Sequence, residues 1–306
     1  MSLIFDALQK SGAEQSGIEY PDMVSVATQV FEAEREHLFG DGTTAQSEPL
    51  ASVSVMEAPP TESSVLEKET PSPEFPSLEV SVSPSSQFVF STEPDSLAAE
   101  KFRFLGVRLR QIRQNRPLKK VLITSTIPQE GKSLVSANLA GVLARRKEKV
   151  LLLEGDLRRP VFAQQFGLGR LAGLGQCLRS GAQDVSNVFY LRNLGFWLMP
   201  AGDPTDNPLE LMQSGRLTQL TAELSTFFDW IIIDSPPLLP LADTTVWARL
   251  ADGVLLVARE GVTAKGPLQR GLDLLKTSDV LGVVLNSCMN LDQKNYYSRH
   301  SPDVAK

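Results

Sequence analysis

Val121-Leu122-Ile123-Thr124-Ser125-Thr126-Ile127-Pro128-Gln129-Glu130-Gly131-Lys132-Ser133 is the stretch that decides the fold. Its first three residues form a short apolar run, the mark of a strand buried on both faces. After the turn, Leu134, Ala137, Leu139, Ala140, Val142 and Leu143 recur at helical spacing, so Gly131-Lys132-Ser133 opens a helix. Strand, tight loop and helix in that order make a P-loop. The amides of Gln129, Glu130, Gly131, Lys132, Ser133 and Leu134 are placed to cradle phosphates, Lys132 to reach the outer ones, and the Ser133 hydroxyl to bind Mg²⁺. Thr126 stands where the usual pattern has its first glycine, and a bare Gly-Lys-Ser also occurs at ordinary exposed helix starts. The flanking strand and helix favour the phosphate cradle.

Two further segments end apolar strands in acids. Trp230-Ile231-Ile232-Ile233 runs into Asp234 and then Pro236-Pro237, a pair that favours a rigid loop over an immediate helix. A carboxylate at that edge can hold Mg²⁺ beside the P-loop, or cap the next helix. Val150-Leu151-Leu152-Leu153 runs into Glu154-Gly155-Asp156-Leu157-Arg158-Arg159. Its two carboxylates can divide the work, one on the metal and one taking a proton. A solvated charged turn is the plainer alternative.

In order, the three segments resemble the Walker A, Walker A′ and Walker B motifs of the bacterial protein-tyrosine kinases (BY-kinases), cytoplasmic autokinases of capsule and exopolysaccharide export systems. Glu100-Lys101-Phe102-Arg103, Pro200-Ala201-Gly202, Asn207-Pro208-Leu209-Glu210-Leu211 and Leu281-Gly282-Val283-Val284-Leu285-Asn286 extend the resemblance over roughly residues 95–297. ParA/MinD-type positioning ATPases share the fold but usually carry a lysine early in the loop, where this chain has Ile127-Pro128-Gln129.

The resemblance implies an ATP- and Mg²⁺-dependent autokinase. Lys132, Glu154 and Asp156 are the catalytic candidates, and Ser133, Asp156 and Asp234 the metal candidates. Glu154 replaces an Asp proposed in the family to accept the tyrosine proton, so slow turnover is expected. Arg158 is a candidate for charge on the phosphates or for a structural ion pair. Asn286 could read the adenine edge or simply end its strand. The phosphoacceptors implied are Tyr296 and Tyr297, in a polar tail, unless they pack back on the domain; Tyr20 and Tyr190 are weaker candidates. Homo-oligomers are implied too, although the family's Glu-x-x-Arg-x-x-Arg helix here has Gly106 in its third place. The implied partner is a membrane-embedded polysaccharide co-polymerase that activates the kinase. A different class of function stays open: an ATP-binding switch or scaffold that transfers no phosphate to tyrosine.

Length and composition set outer bounds. A net charge of −6 argues against general nucleic-acid binding. Cys177 and Cys288 have no paired metal-ligand spacing, and His37 and His300 are too scattered for a metal site. No apolar run reaches the ~18–20 residues of a membrane span, and Met1-Ser2-Leu3-Ile4-Phe5-Asp6 is no signal peptide. The expected location is cytoplasmic, at the inner face of the membrane through the partner.

Four regions follow. Residues 1–43 carry short helical segments, with 1–10 a docking peptide or a frayed terminus. Residues 44–94, rich in Ser, Pro and Glu, read as a disordered linker. Residues 95–290 form the catalytic domain and 291–306 a flexible tyrosine-bearing tail. The domain class is α/β, a P-loop parallel sheet with helices on both faces. Strands are expected near 121–125, 150–154, 196–200, 230–234, 253–258 and 281–286. Helices are expected near 96–113, 132–147, 208–227, 241–250 and 266–276.

Overall fold

The structure, a computed structural model, describes residues 75–83, 86–180, 185–205 and 207–287. The segments expected in residues 1–43, and the tail with Tyr296 and Tyr297, lie outside the described residues. The strands are β1 (Ser77–Leu78), β2 (Lys120–Ser125), β3 (Val150–Glu154), β4 (Phe189–Leu191), β5 (Phe196–Met199), β6 (Trp230–Asp234), β7 (Gly253–Arg259) and β8 (Val280–Asn286). The helices are α1 (Val89–Thr92), α2 (Leu97–Asn115), α3 (Lys132–Ala144), α4 (Phe162–Gln165), α5 (Leu174–Ser180), α6 (Pro208–Gln213), α7 (Arg216–Phe227), α8 (Asp243–Leu250) and α9 (Lys265–Leu274).

One sheet runs in the order β1-β4-β5-β3-β6-β2-β7-β8. All six strands expected from apolar runs are present. The sheet is not wholly parallel, because β4 pairs antiparallel with β5. The loop between them is short and turns at Gly195 with φ 78°, and so tight a hairpin can only join antiparallel neighbours. Alternate residues serve the two faces. Val121, Ile123, Val150, Leu152, Trp230 and Ile232 join a cluster with Leu139 and Leu143 of α3. Leu122, Leu151, Ile231 and Ile233, of the other parity, are equally buried. The expected single helix over 208–227 is two, α6 and α7, broken where Gly215 takes φ 75°.

The linker expected over 44–94 ends earlier than its composition suggested. Residues 75–83 and 86–94 belong to the folded domain, while 44–74 lie outside the described residues. Leu78, Val80 and Val82 alternate along a strap that adds β1 beside β4, and Val80, Phe88 and Phe90 are buried. Phe88 lies 5.0 Å from Phe166 and Phe90 6.0 Å from Phe196, centroid to centroid. Asn138 of α3 holds the strap at both ends of its amide: Oδ1 accepts from Phe90 N at 3.3 Å and Nδ2 donates to Gln87 O at 3.0 Å. Gly141 leaves the room, since a Cβ there would come within 2.2 Å of the Phe90 ring. Burying these rings offsets the entropy of ordering a polar segment. Phe90→Ala in the full chain is expected to lower unfolding stability by about 3–5 kcal/mol, read from urea denaturation. A loss below about 0.5 kcal/mol, the range of ordinary surface substitutions, would mean that the strap is not part of the core.

Candidate nucleotide and metal site

The loop after β2 is shaped by a side chain folded beneath it. Glu130 is fully buried, and its Oε2 accepts from Thr126 N at 2.7 Å and Ile127 N at 3.0 Å. The Thr263 hydroxyl, from the loop between β7 and α9, bonds the other oxygen. Gln129 (φ 68°) and Gly131 (φ 90°) turn the chain into α3. A Cβ on Gly131 would come within 2.1 Å of Asn286 Nδ2, so glycine is needed there for contact as well as for φ. The first helical bond runs from Val135 N to Gly131 O. The amides just before it at the helix start have no intrahelical acceptor and point to where an anion would sit.

Three elements bring the charged groups together. Asp234 ends β6, in register with Ile123 on one side and Glu154 on the other. Its buried carboxylate accepts from the Ser133 hydroxyl at 2.6 Å, and the Ser136 hydroxyl lies 3.2 Å from its other oxygen. Burial pushes the Asp234 carboxyl up; Lys132 and the Ser133 hydroxyl pull it down, and the Asp156 charge pushes it up again. Lys132 Nζ stands 3.5 Å from Asp156 Oδ2 and 3.3 Å from Ser133 Oγ. Asp156 Oδ1 in turn accepts from Arg159 N at 3.0 Å. Ser136 was not singled out from the sequence, although i+3 from Ser133 places it on the same helix face.

A hydroxyl and two carboxylates suit a hard divalent cation such as Mg²⁺. Among the described residues no three Asp, Glu, His or Cys converge to hold an ion alone. Phosphate oxygens and water would have to complete the shell, as is usual for Mg²⁺.

The other expected site residues are placed differently. Glu154 is fully buried, with both carboxylate oxygens on backbone amides: Val161 N and Phe162 N on one, Ala201 N on the other. Burial pushes its carboxyl up, and the three amides counter in part. Arg158 is in an ion pair, its Nε 2.7 Å from Oδ2 of buried Asp243 at the start of α8. Asn286 donates from Nδ2 to Glu130 O at 3.0 Å and accepts from Ser287 N at 2.9 Å. An adenine edge would have to displace the first of these bonds. Tyr190 packs on Trp197 at 4.7 Å. Gly106 is buried, facing Val142 and Leu143 of α3, so this position serves helix packing.

No family model matches the sequence. Among curated proteins, the chain is 34% identical over 197 residues to the tyrosine-protein kinase YwqD of Bacillus subtilis, covering 64% of this chain and 83% of that protein. It is 30% identical over 213 residues to the putative tyrosine-protein kinase CapB of Staphylococcus aureus, covering 69% and 93%. Among solved structures, the kinase domain of the Escherichia coli tyrosine kinase ETK superposes with a TM-score of 0.62 at 27% identity, covering 66% of this chain and 82% of that one.

The buried carboxylate of Asp234 is costly without a cation. Asp234→Asn is therefore expected to hold or raise the thermal midpoint of the nucleotide-free chain, at ~2–4 °C per kcal/mol regained. It is also expected to remove most of the Mg²⁺-dependent part of the stabilisation by ATP. A nucleotide-free midpoint that falls by about 5 °C or more, beyond the same scale, would contradict this.

Proposed function

The chain belongs to the bacterial tyrosine-protein kinases, and from that premise we propose that it is an ATP- and Mg²⁺-dependent protein-tyrosine autokinase regulating exopolysaccharide or capsule synthesis or export. The observation that carries the proposal is the meeting of Lys132, Ser133, Asp156 and Asp234 at one sheet edge, at the start of α3. Phosphoryl transfer asks mainly for positioning and charge neutralisation, and these groups supply both.

In this reading the amides from Gln129 to Leu134 hold the phosphates and Lys132 lies against the outer ones. Ser133, Asp156 and Asp234 hold Mg²⁺, which when bound offsets charge on the phosphate oxygens. The acceptor is a tail tyrosine, Tyr296 or Tyr297. Its phenolic oxygen bonds to the γ-phosphorus as the bond to the β–γ bridging oxygen breaks, ADP leaves, and the phenolic proton passes to water in the cleft. Arg158, being paired with Asp243, fixes the loop that carries Asp156 rather than meeting phosphate. Asn286 reads the adenine edge only by exchanging its bond to Glu130.

No helix among the described residues is long and apolar enough to cross a membrane. The proposal places the chain at the cytosolic face, activated by a membrane-embedded polysaccharide co-polymerase. It also assembles with copies of itself through the face of α2 that carries Glu100 and Arg103, where Phe104 and Val107 are exposed.

Incubation with Mg-ATP followed by peptide mass spectrometry tests this, with Lys132→Met alongside. The expected result is phosphate on Tyr296 or Tyr297 in the native chain, and a loss of at least ~100-fold in the variant. An unmodified tail despite ATP binding, with the membrane partner also present, would favour a nucleotide switch instead.

A further inference from the structure

Glu154 stands where a proton acceptor is expected, yet its carboxylate is already committed. One oxygen accepts from Val161 N at 2.5 Å and Phe162 N at 2.8 Å, the other from Ala201 N at 2.8 Å. Three of roughly four lone-pair positions are taken, and the side chain is fully buried. A phenol could reach it only after these bonds break.

The three amides come from two separate parts of the chain. Val161 and Phe162 start α4, and the bond to Val161 N closes residues 155–160 into a loop at their own base. That loop carries Asp156 and Arg158. Ala201 begins the turn leaving β5. The turn is held from its far side by Leu174 N on Pro200 O and Gly175 N on Ala201 O, at 2.8 and 2.9 Å. It returns to the same loop through Thr205 N on Leu157 O at 3.0 Å. Behind the start of α4, Phe162 stacks on Phe166 at 5.6 Å, and Phe166 contacts Phe88 of the strap. Gly155 seats the loop against Asp234: its N donates to Asp234 O at 2.7 Å, and a Cβ there would come within 2.7 Å of Trp247.

We propose that Glu154 is a positioning residue and not the proton acceptor: its buried carboxylate clamps the β3 end, the start of α4 and the β5 turn together, and so sets the position of Asp156. The length of the side chain is part of the clamp. An Asp at 154 is shorter by one C–C bond, about 1.5 Å, and falls short of amides on both sides. Restoring the acid that the family resemblance implies therefore weakens the site instead of improving it. The kinetic consequence rests on the tyrosine-kinase reading; the clamp itself does not.

The test uses the full chain with Glu154→Asp and Glu154→Gln, read three ways. Amide hydrogen exchange in peptides covering 155–166 and 198–205 is expected to quicken by about 10-fold or more in both variants, since charged hydrogen bonds are lost. In autophosphorylation, Glu154→Asp is expected to lower kcat by about 10- to 100-fold with KM for ATP nearly unchanged, because Asp156 is displaced by a fraction of an ångström to ~1 Å. Glu154→Gln, which keeps the length of the side chain and one accepting oxygen, is expected to keep measurable turnover with KM for ATP nearly unchanged. Unchanged exchange in both variants would overturn the clamp. So would a several-fold rise in kcat for Glu154→Asp, or a fall of turnover in Glu154→Gln to the level of Lys132→Met, either of which would mark Glu154 as the base. If the native chain forms no phosphotyrosine, the kinase reading fails and exchange alone decides the clamp.

Discussion

A buried carboxylate must be compensated, and the site is organised around three of them, two at strand ends and one in the loop after β2. Asp234 is met by the Ser133 hydroxyl, and that bond joins the start of α3 to the middle of the sheet. Glu130 is met by the amides of its own loop and holds the loop's shape before any phosphate arrives. Glu154 is met by amides from two other loops. Leaving any of the three unpartnered would cost several kcal/mol. The backbone is therefore drawn to them, and the cleft wall follows their positions.

The three differ in how fully they are compensated, and function follows the difference. Glu130 and Glu154 have amide donors in fixed places, so they brace. Asp234 has two hydroxyls and the indirect help of Lys132, while the Asp156 charge works against it. In the proposed reading a divalent cation would supply what is missing there. Binding of metal and nucleotide would then relieve a cost built into the fold, in keeping with the rule that a ligand stabilises the state it binds.

The sheet was legible because strands buried on both faces read as short apolar runs, and six of them stood out. β1 and β4 did not, being two and three residues long, too short for any periodicity. The strap from Phe75 was masked by its Ser and Pro content, although Leu78, Val80 and Val82 alternate and Phe88 and Phe90 flank a valine. The P-loop lysine and serine and the edge acids were legible from residue type and order. The task of each acid was not. Glu154 and Asp156 look alike in sequence, and they part company through Ala201, 47 residues beyond Glu154. Arg158 was open between phosphate and ion pair until Asp243, 85 residues away, proved to face it.

The central claim is that this edge transfers phosphate to tyrosine rather than to water. The most direct measurement is the yield of phosphotyrosine per ADP formed in the first turnover with Mg-ATP, with free phosphate counted in the same sample. Transfer to the tail gives close to one phosphotyrosine per ADP and little free phosphate. ADP matched by free phosphate, with no phosphotyrosine on the chain or on an added copy of its tail, would contradict the claim.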